Sequence, residues 1–157
     1  MRTFNKVKGA SVFCGETNRK LGNITDLMYD LTANLITGYW LDNGQWWTKK
    51  HALALSLVNG ETKKGFYVNT TDSLLPVTEK NKRFFHGNDR LMGQVIKKED
   101  GDMVGIIEDV YFLPSTGKII GYQVTEGLFE DFKGIKVIRT NHSTVHNEKD
   151  CLSIIVQ

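Results

Sequence analysis

The sequence predicts an all-β protein made of two tandem copies of one small barrel. The first observation behind this is a repeat. Leu21-Gly22-Asn23-Ile24-Thr25-Asp26-Leu27, Ile36-Thr37-Gly38-Tyr39-Trp40-Leu41 and Gly44 return 83 positions later as Val104-Gly105-Ile106-Ile107-Glu108-Asp109-Val110, Ile119-Ile120-Gly121-Tyr122-Gln123-Val124 and Gly127. The offset holds without a gap from 12/95 to 50/133. A repeat of this kind decides architecture before any local reading. The second observation is that the repeated runs are rich in β-branched and aromatic residues and carry no helical stripe. The third is turn chemistry closing short runs at close spacing, the pattern of a barrel or sandwich.

In chain order, Val12-Phe13-Cys14 is a short apolar strand, closed by the turn Gly15-Glu16-Thr17-Asn18. Residues 21–29 alternate imperfectly, and Thr32-Ala33-Asn34 turns the chain into a strand over 35–41. Asp42-Asn43-Gly44 is the strongest hairpin signal of the first half, because Asn-Gly accepts the positive φ of a type I′ turn. Trp46-Trp47-Thr48 opens the next strand, 50–55 reads as a helical turn or a strand approach, and Val58-Asn59-Gly60 turns into Phe66-Tyr67-Val68. The second half repeats the plan. It has a strand over 91–97, the turn Glu99-Asp100-Gly101-Asp102, and a long or bent strand over 103–113. The turn Pro114-Ser115-Thr116-Gly117 and strands over 119–125, 135–138 and 152–156 follow.

The repeat divides the chain into 1–77, a polar linker or short surface helix at 78–89, and 90–157. Each copy lies near the lower size limit for a self-sufficient core, so the halves are expected to pack on each other or to form a homodimer. Two non-equivalent cysteines, Cys14 and Cys151, make no disulfide framework and point to a reducing, cytoplasmic setting. No signal-peptide core or membrane span is expected. The net charge of +2 gives no strong nucleic-acid footprint, although it divides into +3 for 1–77, +2 for 78–90 and −3 for 91–157. Opposite-signed halves suit mutual docking or different partners.

The repeated glycines and aspartates read as builders of the fold. Gly38 and Gly121 fall inside strands, where glycine marks a bulge, a bend or a close backbone approach. Gly22 and Gly105 recur just after the first turn. Asp26 and Asp109 sit where a carboxylate accepts backbone N–H groups.

Gly-x-Ile-x-Asp-Leu/Val, followed about ten residues on by Ile-x-Gly-Tyr-x-Leu/Val, resembles the PRC-barrel domain. The better match is 105–112 with 118–124, and 22–29 with 36–41 is the other. The family includes the cytoplasmic part of the photosynthetic reaction-centre H subunit and the C-terminal half of a ribosome-maturation factor. The resemblance covers nearly the whole chain. It implies small curved β barrels used for protein–protein contact, and it brings no catalytic residues.

The residues themselves lead to no assigned catalytic, cofactor-binding or metal-binding site. His142 and His146, near Glu148, Asp150 and Cys151, would share a ligand face only on a helix, and 140–144 is turn-like. His51 and His86 stand alone. No phosphate-binding glycine loop occurs. The aromatics are the stronger candidates. Alternation keeps Trp46 and Trp47 from facing one small core together. With Phe129 and Phe132 in the second copy, they are the expected anchors for a protein partner. The expected function is therefore a non-catalytic interaction or scaffold module. The alternative is a ribosome- or RNA-associated maturation factor, resting on the family resemblance and on Lys49-Lys50 and Lys80-Asn81-Lys82-Arg83 with Phe84-Phe85.

Overall fold

The computed structural model describes residues 1–44, 49–78, 80–98, 100–125, 135–139, 145–148 and 151–154. A short strand β1 (Arg2–Thr3) leads into one helical turn, α1 (Phe4–Val7). Thr3 caps that turn by accepting the Lys6 N–H at 3.3 Å. Strands β2 (Ser11–Cys14), β3 (Lys20–Asp30), β4 (Leu35–Asp42), β5 (His51–Ala54), β6 (Val58–Thr62), β7 (Gly65–Val68) and β8 (Leu75–Pro76) form one sheet. Strands β9 (Val95–Lys97), β10 (Met103–Phe112), β11 (Ile119–Thr125), β12 (Ile135–Arg139), β13 (Val145–Glu148) and β14 (Cys151–Ile154) form the other, with β1 added beside β10. The protein is all-β and barrel-like.

Both sheets follow one plan. The first runs β5-β4-β3-β2-β7-β6 and the second β12-β11-β10-β9-β14-β13. In each, the pairing of β2 with β7 and of β9 with β14 is parallel. Their irregularities also coincide. β3 slips register between Ile24 and Asp26 and again between Met28 and Tyr29. β10 slips between Ile107 and Asp109 and between Tyr111 and Phe112. These bulges explain the imperfect alternation of the sequence. An extra residue resets which face is buried, so Asp26 and Leu27 are both buried, as are Asp109 and Val110.

The halves are joined by reciprocal contacts. Leu35 bridges Lys118, its own counterpart in the repeat. On either side, Ile119 N–H donates to Asn34 O at 3.0 Å and Ile36 N–H to Gly117 O at 2.8 Å. These contacts describe a local two-fold relation. Gly117 holds φ +75°, and a Cβ there would run into Ile36 O, so only glycine fits this crossing. The lead-in of each half also crosses to the other. Thr3 pairs with Tyr111 of β10, while Arg83 pairs with Met28 of β3. Phe84 N–H donates to Leu27 O at 2.9 Å, and the Phe4 and Phe84 rings meet with centroids 5.3 Å apart. The stretch 78–89, expected as a linker, thus contributes Phe84 to the interior with no exposure.

One buried core runs through both halves. It includes Phe4, Ile24, Leu27, Tyr39, Leu53 and Phe84 together with Ile96, Ile107, Val110, Phe112 and Tyr122. Each large side chain so buried contributes about 1.5–3 kcal/mol. This shared burial relieves the size problem that each half would face alone.

The Asp42-Asn43-Gly44 signal needs correction. β4 and β5 do pair as a hairpin, but of Asn43-Gly44 only Gly44 holds a positive φ, so the type I′ turn is not formed, and the expected strand at Trp46-Trp47-Thr48 lies outside the described residues. The Asp42 carboxylate accepts the Gly44 N–H at 2.8 Å and pairs with Lys50. Of the two readings for 50–55, the strand is found over His51–Ala54, followed by a 3-10 turn at Leu55–Leu57.

Candidate functional site

The two motif aspartates are buried acceptors at the crossings. Asp26 is fully buried. Its Oδ1 accepts Leu27 N–H at 2.9 Å and Phe85 N–H at 2.8 Å, and its Oδ2 accepts His86 N–H at 2.9 Å. Arg83 Nε donates to Oδ2 at 3.1 Å, and His86 Nδ1 lies 2.9 Å from the same oxygen. Asp109 Oδ1 accepts Phe4 and Val110 N–H, each at 2.8 Å, and both its oxygens lie 3.4 Å from Asn5 N. Among the described residues, no cation pairs with Asp109. Both aspartates pin a lead-in to the opposite half, and Asp26 adds charged partners. No Ser, Thr or Cys side chain among the described residues bonds His86, so no nucleophile is assembled there.

Of the repeated glycines, Gly38 and Gly121 take equivalent places. A Cβ at Gly38 would collide with Leu53 O, and one at Gly121 with Ile138 O. Glycine therefore lets β5 and β12 lie close against β4 and β11. A Cβ at Gly22 would lie 3.1 Å from Asp42 O, and one at Gly105 would lie 2.7 Å from Thr125 O.

A cleft of about 270 Å³ opens between the halves, with Tyr39, Leu55, Val58 and Phe66 on one side and Pro114 and Ser115 on the other. Arg2 lies over the Phe66 ring, 4.7 Å from its centroid, and pairs with Glu61 at the mouth. Burial pushes the Tyr39 hydroxyl up to about 12, opposed by Arg2 and reinforced by Glu61. Of the charged groups in this cleft, Arg2 and Glu61 already answer each other.

The halves differ on their outer faces. On the first, Met28, Trp40 and Ala52 form a small cluster with Val77 packed on it. Arg83 covers the Trp40 ring at 4.0 Å. β8 closes the edge of β5, placing Leu75 opposite Ala52 and Pro76 opposite His51. On the second, ladder positions equate Tyr111, Gln123 and Val137 with Met28, Trp40 and Ala52. Tyr111 and Gln123 share a 3.4 Å hydrogen bond. Val137 is 50% exposed, against 9% for Ala52. Among the described residues, β12 pairs with β11 alone, and Arg139 is exposed without an ion-pair partner.

Trp46, Trp47, Phe129 and Phe132, the expected partner anchors, lie outside the described residues, as does His142. His146 and Cys151 are placed only by their backbones in β13 and β14. Among the described residues, no three His, Cys, Asp or Glu side chains gather as a metal site, and no helix is long and apolar enough to cross a membrane. Cys14 is buried, with its thiol donating to Asn69 O at 3.5 Å. The basic stretch is divided by the fold: Arg83 turns to Asp26 and Trp40, while Lys82 and Arg90 are exposed. Sequence reasoning missed Val137 and Arg139. The repeat alone did not signal them, because its 83-residue offset ends at 50/133 and only the ladders match Ala52 with Val137.

No family model matches the chain. An uncharacterized protein of Bacillus subtilis (strain 168), YrrD, is 28% identical over 153 residues, covering 96% of this chain and 85% of the relative. The similarity extends over nearly all of both sheets.

Proposed function

We propose that the protein is a non-catalytic interaction module, built from two PRC-barrel-like units spanning 1–77 and 90–157, that docks a protein partner on its barrel surface. The observation that carries this reading is the unequal treatment of equivalent edges. β5 is covered by β8, while β12 presents Val137 half exposed with no strand beside it among the described residues. Exposed strand edges are templates for pairing, and proteins normally cover or blunt them. Val137 and Arg139, both exposed on one face of β12, fit a docking role, as does the exposed Leu75 of β8. The ribosome- or RNA-associated alternative draws less support, because Arg83 and Phe84 of its basic, aromatic stretch are engaged within the fold.

The test is co-purification at native expression level, comparing the unaltered protein with folded Val137→Glu and Trp46→Ala/Trp47→Ala variants. A stoichiometric protein partner lost with Val137→Glu supports docking on the second half. Loss only with the tryptophan pair moves the surface to the first half. Recovery of ribosomal components, shed at moderate salt and indifferent to both variants, supports the RNA-associated reading instead.

A further inference from the structure

The cleft between the halves contains a polar group that its surroundings leave unanswered. Tyr39 is 1% exposed and lines the cleft. Among the described residues, its hydroxyl has no hydrogen-bond partner, and Arg2 and Glu61 act on it only through their charges. Tyr122 holds the equivalent place in the second copy, and its hydroxyl is shut inside the core without a partner. Tyr39 differs in bordering a space that a second molecule can enter. A buried hydroxyl gains most from a partner when little else around it is polar.

The walls decide the chemistry of that molecule. The Phe66 ring packs on the Tyr39 ring with centroids 5.7 Å apart, and Leu55, Val58 and Pro114 add aliphatic surface. At the mouth Arg2 and Glu61 neutralise each other, and Arg2 also lies over Phe66. A charged ligand has to break that pair or set its charge against apolar walls, and either is costly. An uncharged ligand meets neither obstacle, and aromatic walls favour a ring. Burial holds the Tyr39 proton up to about 12, so the hydroxyl is a donor at neutral pH. An apolar cavity of about 150 Å³ takes benzene. A cleft of about 270 Å³ takes a ring with a short polar substituent, roughly ten non-hydrogen atoms at most.

We infer that this cleft is a binding site for a small uncharged aromatic alcohol, whose oxygen accepts the Tyr39 hydroxyl and whose ring lies against Phe66, Leu55, Val58 and Pro114. Pro114 belongs to the second half and the other four to the first, so the bound molecule touches both halves. The inference goes beyond the docking role proposed above and does not rest on it.

The test uses the full chain and four probes that share one ring: benzyl alcohol, toluene, benzoate and benzylamine. Saturable binding of benzyl alcohol, followed by amide chemical shifts, is expected with a Kd of about 0.3–1 mM. Toluene, which lacks the oxygen, is expected to bind about fivefold more weakly, and the two charged probes at least about tenfold more weakly. Tyr39→Phe removes a hydroxyl that no described residue needs, so the fold should stand. It is expected to weaken benzyl alcohol about fivefold and to leave toluene unchanged. Val58→Phe, checked as folded by its thermal melt, narrows the cleft and is expected to abolish binding of both. If that variant does not fold, Tyr39→Phe alone decides. Benzyl alcohol binding that is indifferent to Tyr39→Phe would overturn the site. Tighter binding of benzoate or benzylamine would overturn the uncharged class, in favour of a ligand that takes over Arg2 or Glu61. Failure of every probe to bind at about 5 mM would overturn the inference outright. None of these results changes the co-purification outcome, so the docking role stands or falls separately.

Discussion

On the first half, Met28, Trp40 and Ala52 form an outer cluster that Val77 and Arg83 cover. On the second, Tyr111, Gln123 and Val137 hold the same ladder positions, and Val137 stays half exposed. The inner faces show no such divergence. Tyr39 and Tyr122, Ile24 and Ile107, and Leu53 and Ile138 are buried alike in one core. The difference teaches where each constraint acts. The shared core and reciprocal crossings hold both copies to one inner pattern. The outer faces answer only to what lies on them, and they have separated into a covered face and an available one.

The crossings offer the largest test of that comparison. Asp26→Ala is expected to cost about 3–5 kcal/mol, because it strands buried N–H groups and removes the partner of Arg83. Asp109→Ala, which strands N–H groups alone, is expected to cost about 2–3 kcal/mol in the same urea titration. Equal losses would mean that the charged partners of Asp26 add nothing. Next comes the outer face itself. Trp40→Ala is expected to cost about 3 kcal/mol, while Gln123→Ala at the matching position stays within about 0.5 kcal/mol. Similar costs at the two sites would erase the distinction between covered and available faces. Gly38→Ala and Gly121→Ala should each cost about 2 kcal/mol, since both force a Cβ into backbone. A penalty confined to one half would show that the close approach is not shared.

The smallest expected effect is alkaline. Burial, with Asp89 adding to it, raises the Tyr29 hydroxyl to about 12, and burial raises Tyr39 to about 12. The folded state then holds these protons more tightly than the unfolded chain, whose tyrosines titrate near 10. The associated stability is complete below about pH 10 and is lost as pH rises through about 12. Thermal melts across that range should fall in temperature yet remain a single transition, because Tyr29 and Tyr39 both belong to the shared core. Two separating transitions would break the account of one common core.

Much of the inner architecture was legible in the sequence. Gly38 and Gly121 stand inside strand patterns, where glycine has few reasons to be, and both prove to admit a close strand. Asp26 and Asp109 each sit at a bulge and accept backbone N–H groups. What was not legible is tertiary. Nothing local in Arg83-Phe84-Phe85 shows that a polar-looking connector will pair with β3 or bury Phe84, since its partner lies more than fifty residues away. Asp42-Asn43-Gly44 does not take the type I′ geometry, because Asn43 keeps a negative φ while the Asp42 side chain takes the Gly44 N–H. The exposed face of β12 was not legible in local sequence, because which residues of β12 face solvent follows from the backbone ladder.

The most direct test is amide hydrogen exchange, comparing β12 with β5 in the free protein. The account predicts that the β12 amides facing away from β11 exchange at least about tenfold faster than their β5 counterparts, which lie under β8. Equal protection of the two strands would contradict it.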